Sequence, residues 1–140
     1  MFYKDLERGR YYEKKFLDIF DIMQYEEPDK ENQAYYDYKL TLPNGKIRYI
    51  EVKADFIGYK TGNFALEYEC NNKISGINRT KADYYIIFIV GVGIYKIKTK
   101  ILKEMTMKNY KSVYGGDNMK SKMWLIPIKD LEKYKIDNKI

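Results

Sequence analysis

The sequence predicts an α/β fold in which an N-terminal helix precedes a mixed β-sheet flanked by helices. Apolar residues recur at spacings of three and four over residues 3–24, as in an amphipathic helix. Later segments alternate or run apolar over strand-like lengths, and short helical patterns separate some of them. The chain has 140 residues, 45% hydrophobic and 33% charged, which is typical of one globular domain. We therefore expect residues 1–140 to form a single domain.

The first half of the chain is predicted to hold the helix and three strands. Within the helix, Glu13 lies on an otherwise apolar stripe that includes Phe16, Leu17, Phe20 and Met23. A carboxylate among apolar residues is unfavourable unless it is paired, protonated or close to a metal ion. The strands are expected at Tyr35–Thr41, Lys46–Ala54 and Asn63–Cys70.

The second half is predicted to alternate strands with short helices. Its apolar run Tyr84–Tyr95 has 12 residues, fewer than the ~20 that a membrane-spanning helix needs, and is expected to be a buried strand that enters a hairpin. In order, we expect a short helix or turn at Ser75–Ala82, strands at Tyr84–Val90 and Ile94–Lys98, a helix at Thr99–Tyr110, a loop at Lys111–Lys122, a strand at Met123–Ile126 and a helix from Pro127 to about Tyr134.

The residue types that the chain lacks limit its chemistry. It contains no histidine and a single cysteine, Cys70. This composition excludes histidine-based catalysis, an intramolecular disulfide and zinc clusters built from cysteine. Any catalysis must therefore use carboxylates, lysine, tyrosine and metal ions that prefer oxygen ligands.

Charge is distributed unevenly along the chain. Residues 1–70 carry 11 basic and 14 acidic side chains, whereas residues 71–140 carry 15 basic and 6 acidic ones. This asymmetry predicts an acidic centre beside a surface that attracts polyanions, although AT-rich coding explains the lysine content equally well. At the N-terminus, Lys4 and Asp5 stand where a signal peptide needs an apolar segment, so we expect a cytoplasmic protein with no membrane partner.

The turn between the first two predicted strands decides which side chains share a face of the sheet. A two-residue loop of Asn44-Gly45 would require a backbone N–H from Pro43, which proline lacks. A three-residue loop, Pro43–Gly45, suits a type I turn followed by a left-handed glycine, and its opposed residue numbers sum to 88. The longer loop places Asp37 opposite Glu51, whereas the shorter one would put them on opposite faces.

In that register, Asp37, Glu51 and Lys53 form a candidate metal site. Opposed side chains in a hairpin have Cβ atoms ~5 Å apart, and Lys53 follows Glu51 on the same face. Two carboxylates this close repel each other unless a cation lies between them, and Mg²⁺ prefers one or two carboxylates with several retained waters. The alternative is an exposed, charged sheet face on which Glu51 pairs with Lys53 or Lys39.

These residues give the sequence a resemblance to the PD-(D/E)XK nuclease superfamily, especially its small phage-type and Holliday-junction-resolvase-like members. The resemblance covers about residues 9–90. Tyr36 precedes Asp37 where the family motif has proline, and this proline is the least strictly kept residue of the motif. The matching segments are Gly9-Arg10-Tyr11-Tyr12-Glu13, Asp37, Glu51-Val52-Lys53, Thr61–Glu69, and Gly76–Tyr85 with its Thr80-Lys81-Ala82-Asp83.

The resemblance implies a restriction-endonuclease-like core that hydrolyses DNA phosphodiester bonds with Mg²⁺ or Mn²⁺ and no small-molecule cofactor. Asp37 and Glu51 would bind the metal together with the Val52 carbonyl, and Glu13 would hold a metal-bound water or a second cation. Lys53 would orient or deprotonate the attacking water and stabilise the developing negative charge. Branched or junction DNA is a candidate substrate, and a phage-encoded protein acting in a bacterial host fits the resemblance.

Further residues are candidates for the same pocket and for DNA contacts. The resemblance implies that Glu67 lines the catalytic pocket. Backbone amides and cations near Ser75-Gly76 could hold a phosphate, although a solvated loop accounts for these charges equally well. The predicted nucleic-acid-binding residues are Arg79, Lys81, Lys96, Lys98, Lys120 and Lys122.

Two other functions stay open at this point. One is a non-catalytic DNA-binding or assembly subunit that keeps the nuclease fold, and the other is an RNA-processing nuclease with the same chemistry. For a DNA endonuclease we expect a homodimer, since two strands must be cut at related positions.

Overall fold

The computed structural model describes residues 2–137, and the side chains of residues 7–116 and 118–136. Three short 3₁₀ helices in this part of the chain lie at Gly76–Asn78, Asp117–Met119 and Ile128–Tyr134. The other elements are α1 (Phe2–Ile19), β1 (Tyr25–Glu26), β2 (Tyr38–Thr41), β3 (Ile47–Asp55), α2 (Gly58–Thr61), β4 (Asn63–Cys70), β5 (Lys73–Ile74), β6 (Tyr84–Ile89), β7 (Gly93–Lys98), α3 (Thr99–Met105), β8 (Lys111–Gly115), β9 (Ser121–Pro127) and β10 (Lys135–Asp137).

The strands form two sheets. The larger is mixed, with strand order β1-β2-β3-β6-β7-β10, and β3 and β6 are its parallel pair. The smaller is antiparallel, with strand order β5-β4-β9-β8. The predicted α/β class, with an N-terminal helix and a mixed sheet, is confirmed.

Helix α1 covers one face of the mixed sheet. Its Tyr12 and Phe16 pack in a buried cluster with Ile50 and Val52 of β3 and Ile86 of β6. Ile50 and Val52 are 4% and 6% exposed, as their alternation with charged residues predicts. Removing these five side chains from water is the main contribution of α1 to stability, because apolar burial drives the packing of amphipathic helices.

The first helix ends earlier than its apolar spacing predicts. It stops at Ile19, and Asp21 takes a left-handed backbone conformation with φ 50°. Met23 consequently lies beyond the helix and is 89% exposed, so its assignment to the apolar stripe is wrong. Among the helices of residues 2–137, none combines the length and apolar character that a bilayer crossing requires.

The second face of the mixed sheet is covered mainly by the smaller sheet. Phe64 and Leu66 of β4 pack against Tyr85 and Ile87 of β6, with Leu102 of α3 at the side. The sequence predicts a loop at Lys111–Lys122 because of its lysine, serine and glycine content, and this prediction is wrong for most of the segment. Most of that segment forms the exposed edge strand β8 and the start of β9, and charged residues are common on edge strands.

The hairpin of β2 and β3 has the register that the three-residue loop predicts. Tyr38 lies opposite Ile50 and Lys39 opposite Tyr49, so opposed residue numbers sum to 88. The Gly45 N–H donates to the Leu42 carbonyl (2.8 Å), and Gly45 has a φ of 84° that favours glycine. This register puts Ile50 and Val52 in the core and turns Glu51 to the other face.

A buried carboxylate joins β3 to the smaller sheet. Asp55 is 9% exposed at the end of β3. One of its oxygens accepts the N–H groups of Ile57 (3.0 Å) and Gly58 (2.7 Å), and the other accepts the Ala65 N–H of β4 (3.2 Å). Because unpaired buried N–H groups are costly, this carboxylate fixes both the turn after β3 and the approach of β4.

We expect Asp55→Ala to lower the free energy of unfolding by about 3 kcal/mol, since it leaves three backbone donors without their acceptor. Urea denaturation measures this loss. The matched control is Asp29→Ala, which removes an exposed carboxylate that caps only its own loop at Asn32, and it should cost less than about 1 kcal/mol. Equal losses in the two variants would contradict the bridging role of Asp55.

Candidate active site

The start of β2 places the carboxylate of Asp37 against the backbone of β3. The Asp37 N–H donates to the Ile50 carbonyl (2.8 Å), and a carboxylate oxygen of Asp37 accepts the Val52 N–H (2.7 Å). In a longer hairpin a backbone carbonyl would accept that N–H, so the carboxylate occupies a position in the hydrogen-bonding plane of the sheet. Asp37 therefore directly precedes β2, whereas the sequence predicts a strand that already begins at Tyr35.

The carbonyl of Val52 also points toward β2. The carbonyls of Tyr49 and Asp55 point toward β6, where they accept the N–H groups of Asp83 and Val90. Peptide groups alternate in direction along a strand, so the N–H and C=O of Val52 both point toward β2. The Val52 carbonyl is thus on the side where Asp37 lies, as its predicted role as a metal ligand requires.

Glu51 and Lys53 lie on the face of β3 opposite to the Val52 side chain. Lys53 Nζ is 3.4 Å from a carboxylate oxygen of Glu51. Burial raises the pKa of Glu51 to about 7; Lys53 and Arg79 act against the rise and the charge of Asp37 adds to it. Burial alone would lower the pKa of Lys53, but the charges of Glu51 and Asp37 outweigh it, so this pKa is raised. The ammonium form of Lys53 is therefore favoured.

The environment of this ion pair differs from that of an ordinary charged sheet face. The Glu51 side chain is 14% exposed, whereas the Lys53 side chain is 43% exposed. Lys39, the other predicted partner, lies 3.5 Å from Glu26 instead. The pairing of Glu51 with Lys53 matches the charged-face alternative, but the burial of Glu51 favours a site.

Glu13 reaches the same place from α1. Its carboxyl shares a hydrogen bond with the carboxylate of Asp37. Burial, the charge of Asp37 and this hydrogen bond raise the pKa of Glu13 to about 7. Burial also raises the pKa of Asp37, against the opposing effects of the Val52 N–H and Lys53. The prediction that Glu13 is paired or protonated within its apolar stripe agrees with this geometry.

Residues of the 76–85 segment surround the carboxylates. The charge of exposed Arg79 lowers the pKa of Glu51, so the guanidinium lies within electrostatic reach of the site. Thr80 holds the chain before Asp37: its hydroxyl donates to the Tyr35 carbonyl (3.0 Å), which also accepts the Lys81 N–H (2.9 Å). The sequence offered no sign of this role for Thr80, because it depends on a contact across 45 residues.

Glu67 and Tyr85 lie at the inner side of the site. The charge of Glu67 contributes to the raised pKa values of Lys53 and Tyr85, and in both it is the weakest of the carboxylate contributions. Glu67 is thus near the pocket, as the resemblance implies. Tyr85 was not a predicted site residue, because only the parallel pairing of β3 with β6 sets it beside Glu51.

An open cleft of about 580 Å³ borders the Glu13–Asp37 pair. Two basic side chains of α1, Arg10 and Lys14, line it beside Glu13, and Tyr36 contributes from the chain before β2. Arg10 and Lys14 were not predicted as site residues, although their spacing from Glu13 puts all three on neighbouring positions of one helix. The cleft gives a solvent path from outside to Asp37.

The predicted DNA-binding lysines do not lie on one surface. Lys96 and Lys98 oppose Ile86 and Tyr84, so they occupy the face of the mixed sheet that α1 covers, opposite to Glu51. Lys122 lies on the smaller sheet, where it is 3.1 Å from Glu69. Lys120 is exposed just before β9. Lys81 is close to the site and lies 4.3 Å from the centroid of the Tyr35 ring.

The carboxylates fit a site for a hard cation with few protein ligands. In the part of the chain that the structure describes, no group of three or more His, Cys, Asp or Glu side chains is arranged to hold a metal ion. Mg²⁺ needs fewer, because it usually binds one or two carboxylates and keeps several waters. Asp37, Glu51 and the Val52 carbonyl supply such a donor set, and a cation there would favour the ionised carboxylates against the burial that raises their pKa values.

Comparisons of the chain with protein-family models, with curated proteins and with solved structures found no match.

The metal-free protein is expected to lose stability as the pH rises from about 5 to about 8. Glu13 and Glu51 have raised pKa values in the folded state, so protonation stabilises the fold at low pH and this contribution is lost as the pH passes their pKa values of about 7. Melting temperatures measured across this range in the presence of a chelator should fall, and Glu13→Gln should make the fall smaller.

Glu27→Gln is the matched control for this experiment. Glu27 lines the same cleft but is not part of the Glu13–Asp37 pair, so its removal should leave the pH dependence as in the wild-type protein. A wild-type melting temperature that rises with pH over this range would contradict the raised pKa values of Glu13 and Glu51.

Proposed function

We propose that this protein is a metal-dependent endonuclease that hydrolyses DNA phosphodiester bonds, with a restriction-endonuclease-like core. One observation carries the proposal: the Asp37 carboxylate accepts the Val52 N–H between the neighbouring residues of the Glu51–Lys53 pair. The same carboxylate interacts with Glu13. Asp37, Glu51 and Lys53 all act electrostatically on Glu13, although these four residues of the resemblance span up to 40 positions of the chain.

In this proposal Asp37, Glu51 and the Val52 carbonyl hold Mg²⁺ or Mn²⁺. The cation supplies Lewis-acid stabilisation of charge on the phosphoryl oxygens and lowers the pKa of a bound water. Glu13 accepts a hydrogen bond from water at the edge of the site once it is ionised, since its carboxyl already lies against Asp37.

Lys53 orients the attacking water and stabilises negative charge on the phosphate. Its raised pKa keeps the ammonium protonated, which favours these two roles over that of a general base. Its side chain is the more exposed partner of the pair with Glu51, so it can turn toward a phosphate that enters from solvent.

Substrate contacts begin at Arg79, which is exposed and close enough to act on Glu51. Arg10 and Lys14 line the cleft beside Glu13 and Asp37, and cations near an acidic centre position phosphates without reading bases. A homodimer that cuts both strands of branched or junction DNA is the substrate arrangement that we propose.

One observation favours the non-catalytic DNA-binding subunit as a second candidate. The pairs Glu51–Lys53 and Glu13–Asp37 each neutralise a carboxylate through protein groups alone. A binding subunit would therefore keep its affinity for DNA when divalent cations are removed and would not cleave.

Purified protein with Mg²⁺ or Mn²⁺ is expected to cut DNA, tested on plasmid, linear duplex and four-way-junction substrates with an RNA competitor. Asp37→Ala, Glu51→Ala and Lys53→Ala should each lower the cleavage rate by about 100-fold or more, because each removes a group that stabilises the transition state. Lys39→Ala is the matched control: it removes a strand lysine two positions from Asp37 whose partner is Glu26.

Lys39→Ala should retain the wild-type rate. Full cleavage by any of the three site variants would contradict the role assigned to that residue. Salt-sensitive DNA binding without cleavage in any divalent cation would instead establish the binding-subunit alternative.

Arg79→Gln should weaken DNA binding and reduce the slope of log affinity against log salt by about 1, the value for one phosphate contact. Lys96→Gln is the control, because Lys96 lies on the α1 face of the sheet and 4.9 Å from the centroid of the Tyr84 ring. Binding isotherms at several salt concentrations measure both. A larger change in slope for Lys96→Gln than for Arg79→Gln would place the DNA on the other face.

A further inference from the structure

The hydroxyl of Tyr85 is a buried polar group with no hydrogen-bond partner among the described residues. Tyr85 is 0% exposed and lies in the core between the two sheets. Buried hydroxyls normally find a partner, because leaving one unpaired costs free energy. An unpaired buried hydroxyl would therefore gain free energy from an acceptor that came within hydrogen-bond distance.

The strand register identifies that group. Tyr85 of β6 lies directly beside Glu51 of β3 in the parallel ladder, so both side chains project from the same face. Burial raises the pKa of Tyr85, and the charge of Glu51 is the largest of the carboxylate effects that add to it, ahead of Asp37 and Glu67. The hydroxyl therefore stays protonated and is a donor on the residue next to Glu51 in the ladder.

The Glu51 carboxylate can act as the acceptor for that donor. One of its oxygens lies against Lys53, and a carboxylate can accept hydrogen bonds at both oxygens. Side chains that bind metal ions are usually held by hydrogen bonds from a neighbouring group, which fix their orientation. Glu51 is ionised when it binds a cation and then gains most from a neutral donor.

We propose that Tyr85 is the positioning residue for Glu51, donating its hydroxyl hydrogen to the Glu51 carboxylate when that carboxylate binds a divalent cation. This inference rests on the proposed function, since it concerns the metal-bound state of the same site. In the structure Glu51 pairs with Lys53, and the Tyr85 hydroxyl has no hydrogen-bond partner among the described residues.

Tyr95 provides a matched control in the same core. It is also 0% exposed, and its hydroxyl also lacks a hydrogen-bond partner among the residues that the structure describes. Its neighbour on β6 is the apolar Ile87, whereas the neighbour of Tyr85 on β3 is Glu51. The charge that acts on Tyr95 is that of Glu132. Tyr85→Phe and Tyr95→Phe remove the same atom from the same core, but only the first removes a donor from Glu51.

The experiment titrates Mn²⁺ into the wild-type protein and both variants by calorimetry, and measures melting temperatures with and without Mn²⁺. Without metal, both variants should melt at or above the wild-type temperature, because each removes an unpaired buried hydroxyl. With Mn²⁺, Tyr85→Phe should bind about tenfold more weakly and gain less in melting temperature, and Tyr95→Phe should match the wild type.

Each other outcome has a distinct meaning. Wild-type Mn²⁺ affinity in Tyr85→Phe would overturn the positioning role and leave the proposed function intact. Equal losses of affinity in both variants would assign the effect to core packing and overturn it as well. A metal-free Tyr85→Phe protein that melts well below the wild type would show that the hydroxyl is already bonded to another group. Absence of Mn²⁺ binding by the wild-type protein would overturn the proposed function itself.

Discussion

The three-residue turn Pro43–Gly45 is the constraint on which the site depends. With opposed residue numbers that sum to 88, the β2–β3 hairpin buries Ile50 and Val52 under α1 and turns Glu51 and Lys53 to the other face. A loop one residue shorter would put Asp37 and Glu51 on opposite faces, because side chains alternate with a period of two. Core and site are therefore set by the same turn and cannot be shifted independently.

The second constraint is the single hydrogen bond from the Val52 N–H to Asp37. It ends the β2 ladder one residue early and puts a carboxylate where a backbone carbonyl would otherwise lie. The carboxylate thus reaches the sheet plane, where Glu13 can approach from α1 on one side and Glu51 from β3 on the other. Glu13 and Glu51 therefore both lie near Asp37, although α1 covers one face of the sheet and the Glu51 side chain projects from the other.

The electrostatics follow from this crowding. Burial and the charge of Asp37 raise the pKa values of Glu13 and Glu51, whereas Lys53 acts against the rise in both. The hydrogen bond of Glu13 with Asp37 and the ion pair of Glu51 with Lys53 compete with a cation for the same carboxylate oxygens. Proton release should therefore accompany metal binding, and this coupling links the pH dependence of stability to the proposed chemistry.

Local patterns in the sequence are sufficient to predict the hairpin register, the α/β class and the association of Asp37 with Glu51, because proline and glycine chemistry and the period-two alternation are local. The sequence also marked Glu13, since a carboxylate on an apolar stripe needs a partner. It did not reveal that Lys111–Gly115 forms an edge strand, because an exposed edge has the composition of a loop. Three features depend on tertiary packing: the contact of Thr80 with the chain before Asp37, the position of Lys96 and Lys98 on the α1 face, and the position of Tyr85 beside Glu51. Each of these depends on the pairing of β6 with β3 and β7, and strands so far apart in the chain are matched by packing of the whole core instead of by any local pattern.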